Sequence, residues 1–192
     1  MSEESVANAA WEQLSELIEA GDADAVEMFL NALPPTDISY VISHLETDDQ
    51  TDLLELLPAE VAARLFEYLS DDYAADLIEE LSARRAAAIV DELPSDDQAD
   101  IISELPEEDA EAILRRMDPE EAADARRLLD YAPDTAGGLM ITEYLSYPGQ
   151  TTIAEVISDL RANVEEYASY HVQYVYVTET DNRFAGVVRM RD

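Results

Sequence analysis

Asp96 and Asp100 lie four residues apart in a stretch whose pattern is helical, so both carboxylates project from the same face. Two carboxylates on one face, joined by one from another element, suit a hydrated Mg2+ ion, which keeps several of its waters and needs few protein ligands. On the residues alone a solvated helix face is the reading that prevails, because a chain with 45 acidic residues often makes such pairs by chance. Other chemistry is thinly provided for. There is no cysteine, which excludes disulfides, thiolate metal sites and cysteine nucleophiles. The two histidines, His44 and His171, fall in different parts of the chain and read as structural residues: His44 precedes a repeated leucine and His171 opens a strand. No triad can be assembled around either. Gly137-Gly138 is a lone pair, a hinge or helix end rather than a phosphate loop, and the acidic clusters lack the central glycine of a calcium-binding loop. No enzyme activity is expected.

The elements that carry the pair are set by a repeat. Leu45, Leu57, Leu69, Leu81, Leu93, Leu105, Met117 and Leu129 recur every twelve residues. Within most units apolar residues also stand seven, four and three positions earlier, as in Ala62, Leu65, Phe66, Leu69 and in Ala86, Ile89, Val90, Leu93. That spacing is one stripe of an α-helix. Twelve residues leave about nine for helix, roughly 13 Å long, and three for a turn. Pro58, Pro94 and Pro106 directly follow repeat leucines and mark the breaks. Ser70 and Ser95 are placed to cap, and acidic pairs such as Asp71-Asp72 and Asp96-Asp97 fill the first turns, where the helix dipole favours negative charge. Helices this short are unstable alone. They must stack into a superhelix, with one or two opening helices from Trp11 to Leu33, broken at Gly21-Asp22 and stopped at Pro34-Pro35.

The period changes after Gly138. Ile141 to Leu145 is β-prone, Pro148-Gly149 reads as a turn, and Thr151 or Thr152 caps an amphipathic helix through Ile153, Val156, Ile157 and Leu160. Val172 to Val177 and Phe184 to Met190 read as strands joined by a turn at Asp181-Asn182. The expected fold is therefore mainly α: a superhelix of short helices over residues 1–133, then an incomplete α+β domain over 134–192.

In its order and its junction, Tyr131-Ala-Pro-Asp-Thr-Ala-Gly-Gly-Leu-Met140, the chain resembles the N domain and first CBS motif of MgtE-type magnesium transporters. CBS character lies in Thr151 to Val156, Tyr174 to Val177 and Phe184 to Asp192. The resemblance implies a Mg2+-sensing regulatory region on the cytoplasmic side of the membrane, in which ions bound between acidic surfaces draw the N and CBS domains together and favour the closed pore. It places N-domain ligands at Asp96 and Asp100, and Arg64 where another family carboxylate would stand. It implies that the chain continues into further CBS and transmembrane domains, and that the protein dimerises. In the CBS nucleotide pattern Gly186 and Asp192 fit but Arg189 replaces the hydroxyl. Two other functions stay open: a docking solenoid like those of flagellar motor switch proteins, and a soluble CBS nucleotide sensor.

Eleven basic residues, all arginine, against 45 acidic ones give a net charge of −34. Such a surface repels nucleic acid and anionic lipid. No run of eighteen apolar residues exists, and Met1 to Ser5 lacks the basic and apolar regions of a secretory signal. At about 1 M salt the Debye length is about 3 Å, so self-repulsion that strains the fold in dilute buffer is screened. The melting temperature should therefore rise from dilute buffer to molar KCl, and a thermal melt unchanged across that range would refute the charge argument.

Overall fold

The computed structural model describes residues 3–132, 135–164, 167, 170 and 173–190, with side chains from residue 10 onward. The chain divides into two compact units, Met1–Met140 and Ile141–Asp192. The division leaves the residues from 134 to 140, expected to open the second domain, with the first unit.

The first unit is all helix: α1 (Glu3–Glu19), α2 (Ala23–Ala32), α3 (Pro35–Ser43), α4 (Thr47–Leu56), α5 (Ala59–Phe66), α6 (Asp71–Glu79), α7 (Ala83–Val90), α8 (Ser95–Glu104), α9 (Glu107–Leu114) and α10 (Pro119–Leu129). Gly21, with φ +68°, and Asp22, whose carboxylate accepts the Ala25 N–H, separate α1 from α2. From α3 onward every helix begins twelve residues after the last, so the sequence period is also the structural period. The stripes form one core, with Ala62, Ala86, Ile89, Val90 and Ala125 fully buried. Trp11 packs half-buried against this core.

The repeated leucine is mostly not a helical residue, as the four-position stripe implied. Leu69, Leu81 and Leu93 lie beyond the ends of α5, α6 and α7, and their N–H groups donate to Phe66, Ile78 and Val90, three residues back. Such bonds tighten the last turn and satisfy carbonyls that the α-helical pattern leaves open. Each turn thereby returns an apolar side chain to the core. The prolines also act slightly differently from expectation. Pro58, Pro94 and Pro106 are themselves the N-cap residues, extended at ψ 147°, 148° and 140°. Ser95 is consequently the first helical residue and wholly buried, not a cap, and Ser70 makes no side-chain capping bond. Side-chain caps come instead from Asp22, Ser82 and Asp118.

Packing joins alternate helices: α5 with α7, α6 with α8, α7 with α9 and α8 with α10. A residue therefore meets its counterpart about 24 positions away, two units along the chain. Arg85 reaches across this stack, donating through Nε (2.7 Å) and Nη2 to the Leu54 carbonyl and through Nη2 to that of Leu57, which satisfies the end of α4. At the end of the unit Gly137 abuts the Tyr131 ring, and a Cβ there would overlap it.

The second unit has β1 (Leu145–Pro148), α11 (Ile153–Ala162), β2 (Tyr174–Thr178) and β3 (Phe184–Arg189). Its sheet runs β1-β2-β3, with β1 parallel and β3 antiparallel to β2. The first strand starts where the sequence reading ended it, at Leu145, and Pro148 pairs with Thr178 rather than turning. Proline is tolerated there because β1 is an edge strand. Thr152 makes the cap, in a full capping box with Glu155. Asn182 takes φ +60° in the turn before β3. The Asp159 carboxylate accepts hydrogen bonds from Tyr147 (2.6 Å) and Asn163 (2.9 Å), tying α11 to β1. Val172 and His171 lie outside the described residues.

Two substitutions separate core from surface. Ile89 is fully buried, and Ile89→Ala should cost about 2–5 kcal/mol in chemical denaturation. Ile153 is 78% exposed, and Ile153→Ala should change stability by less than about 0.5 kcal/mol.

Candidate functional site

The two sequence-designated carboxylates stand on the first two turns of α8, which is held by packing on both sides, against α6 and α10. Asp96 and Asp100 are both half-exposed, as is Asp97 between them. On the facing helix, Asp71 opens α6. Asp71, Asp97, Glu67 and the apolar Phe66, Leu69, Ala74 and Ile101 line a cleft of about 260 Å3. The α6–α8 packing thus crowds like charges against an apolar floor.

The electrostatics record that crowding. Burial, together with the charges of Asp96, Asp71, Asp100 and Glu67, pushes the Asp97 carboxyl up to about 6. Asp100 is shifted upward too, by burial first and then by Asp71, Asp96 and Glu104. Among the described residues none of Asp71, Asp96, Asp97 and Asp100 forms an ion pair with an arginine. Carboxylates that repel one another and lack a protein cation gain from any cation that enters.

The geometry nevertheless stops short of a complete metal cage. Among the described residues no three acidic or histidine side chains are grouped to hold an ion. Two half-exposed carboxylates fit Mg2+ as a partial site, since that ion accepts one or two carboxylates and fills its octahedron with water.

Sequence reasoning singled out Asp96 and Asp100 but not Asp97 or Asp71 as their neighbours. Asp71 stands in the first turn of α6, 24 residues before the start of its counterpart α8, and the signal was the repeat itself once alternate helices are known to pack. Arg64, set where the resemblance placed another carboxylate, bonds to Glu27 (3.1 Å) and Glu60 (3.5 Å). His44 is a surface residue whose ring stacks on Tyr40 at 4.0 Å and whose Nδ1 lies 2.8 Å from the Tyr40 carbonyl. Arg189 places its guanidinium over the Tyr174 ring. His171, Asp134 and Asp192 lie outside the described residues.

Fold and site together define a class: a superhelix of short helices with an acidic helix start, followed by a strand–helix–strand–strand unit. Known proteins share the fold. The model of the MgtE intracellular N domain matches residues 6–65 and 33–134. The chain belongs to this family. It is 30% identical over 69 residues to the magnesium transporter MgtE of Enterococcus faecalis, and 34% identical over 70 residues to that of Thermus thermophilus. Each match covers 36% of this chain and 15% of the relative's length. A crystal structure of the cytosolic domain of the Mg2+ channel MgtE in complex with ATP is 29% identical, with a TM-score of 0.78, over 94% of this chain and 73% of that one. The soluble part of a magnesium transporter has the same fold, with a TM-score of 0.77 at 23% identity over 97% of this chain and 73% of the other. Among the described residues no helix is long and apolar enough to cross a membrane.

The raised Asp97 carboxyl makes a signed prediction. Its folded value, about 6, lies above the ordinary 3.8, so the folded state holds the proton more tightly. The stabilisation is complete below about pH 4 and is lost as pH rises through about 6. At pH 7.5 and low ionic strength, Asp97→Asn should therefore raise stability by about 1–2 kcal/mol, a figure discounted for solvent screening. At pH 4 the advantage should vanish. Denaturant titrations of both proteins at the two pH values measure it.

Proposed function

We propose that this chain is the Mg2+-sensing regulatory region of a magnesium transporter or channel. Asp96 and Asp100 are its N-domain metal ligands. The observation that carries the reading is the α8 carboxylate pair. It is held half-buried beside Asp71 and Asp97 with no arginine paired to it among the described residues, in a chain of the MgtE N-domain family.

The repulsion supplies the mechanism. Without metal, an acidic face brought near other carboxylates is driven away. A hydrated divalent cation turns that repulsion into attraction only when the two faces are close, so it shifts the equilibrium towards the compact state. The partner carboxylates belong to CBS-type domains of the same protein, and metal-dependent association of the N and CBS domains favours the closed pore. Mg2+ is thus both regulatory ligand and transported ion. The region works on the cytoplasmic side of the membrane, as part of a protein that dimerises through its CBS domains. Nothing in the reading requires catalysis. A similar cytosolic domain has been solved with ATP. In this chain Arg189, engaged with Tyr174, stands where the CBS nucleotide pattern has a hydroxyl, and this favours the metal reading over a nucleotide sensor.

Limited proteolysis tests the proposal in a protein that carries the complete CBS pair. At matched ionic strength, millimolar Mg2+ should slow cleavage between the helical unit and the CBS domains, and Asp96→Asn with Asp100→Asn should abolish the protection. Identical cleavage with and without Mg2+ would sink it.

A further inference from the structure

Five residues past the repeat leucine most units carry alanine: Ala62, Ala74, Ala86, Ala110 and Ala122. Two units break the rule with glutamine, Gln50 and Gln98. They are also the two units with the run Asp-Asp-Gln-x-Asp, at Asp48 to Asp52 and at Asp96 to Asp100. In both, the glutamine amide folds back onto the carbonyl of its repeat leucine, Leu45 at 3.2 Å and Leu93 at 2.8 Å. Each also reaches the helix two units on, Gln50 at Tyr73 Oη (3.0 Å) and Gln98 at Glu121 Oε2 (3.3 Å).

Gln98 is fully buried, and its Oε1 meets no donor among the described residues. A buried amide oxygen without a partner opposes stability, and its neighbours in the repeat show that alanine fits the position. What glutamine supplies that alanine cannot is the pair of amide bonds to Leu93 and Glu121, so the departure from the repeat marks a constraint on how α8 is held. The helix geometry says which one. Gln98 is two residues from Asp96 and two from Asp100, about 200° around the axis from each, so the carboxylates lie on the side away from the buried amide. An anchor on the inner face sets the rotation of α8 and hence the aim of the outer face.

We propose that Gln98 is a positioning residue for cation binding. Its amide locks the start of α8 to the Leu93 carbonyl and to Glu121 of α10, which fixes the spacing and aim of Asp96 and Asp100. The inference rests on α8 being the Mg2+-binding helix. Residues that orient metal ligands from behind act in this way, without touching the ion.

The test is a MgCl2 titration of this chain at constant ionic strength, followed by the NMR shifts of the α8 amides. Gln98→Met keeps the length and burial of the side chain but removes the amide. It should raise the Mg2+ concentration at half-maximal shift about tenfold. Val41→Ala, in α3, which packs on α1, is the control for destabilisation: it should lower the melting temperature and leave the Mg2+ titration unchanged. If Gln98→Met titrates like the wild type, or if Val41→Ala weakens binding as much, the positioning role is overturned. Should Gln98→Met fail to fold, Glu121→Ala removes the α10 side of the link from a half-buried position, and wild-type binding in that variant overturns the role equally. A wild-type chain with no Mg2+-dependent shift, or one whose shift survives Asp96→Asn with Asp100→Asn, instead removes the cation-binding reading of α8 and the positioning role with it.

Discussion

The short length of the helices governs this molecule. From α3 to α10 the helices have eight to eleven residues, too few to persist in water on propensity alone. Each exists because its apolar stripe is covered by neighbours, and the contacts run to the helix two units away. Helix, turn and stack are therefore one cooperative device. The repeat leucine shows it most directly, because it leaves the helix, closes the last turn with a backbone bond and still reaches the core. The acidic site inherits its geometry from the same rule. Asp71 and Asp97 share a cleft because α6 and α8 pack as alternate members of the stack.

Charge is distributed against that rigid frame. Arginines are spent on specific partners: Arg85 on the carbonyls that end α4, and Arg64 on Glu27 and Glu60. Around the start of α8 there is no such compensation among the described residues. The fold holds like charges together there by packing the apolar sides of the same helices, Ile101 and Ile102 on α8 and Leu77 and Ile78 on α6 being buried. Hydrophobic burial is non-directional and sums over many contacts, so it can impose a local electrostatic penalty that a few carboxylates cannot relieve by moving apart.

Much of this was legible in the residues. The twelve-residue spacing gave the number and placement of the repeat helices, because apolar periodicity reports which face is buried. The break at Gly21 and Asp22 was legible from turn chemistry, as were a threonine cap at 151 or 152, which the fold assigns to Thr152, and the strand pair joined at Asp181-Asn182. What stayed hidden depended on tertiary context. Ser95 has the chemistry of a cap, yet Pro94 takes that place and burial claims the serine. Leu145 ends a β-prone run but begins the strand, because pairing with Val175 sets the register. Asp97 and Asp71 looked like ordinary first-turn acids; only the packing of alternate helices makes them neighbours. The resemblance at the junction was needed to choose Asp96 and Asp100 among so many acidic pairs.

The prolines between units have an effect that no contact in the folded chain displays. Pro58, Pro94 and Pro106 hold φ near −55° at the start of three helices, where the ring costs the helix no needed donor. The same rings remain rigid when the stack comes apart, so the disordered chain has fewer shapes to wander among. Part of what keeps this superhelix assembled is therefore a handicap placed on its competitor. The handicap recurs along the array, and it acts at each boundary between units, where an opening of the stack would begin.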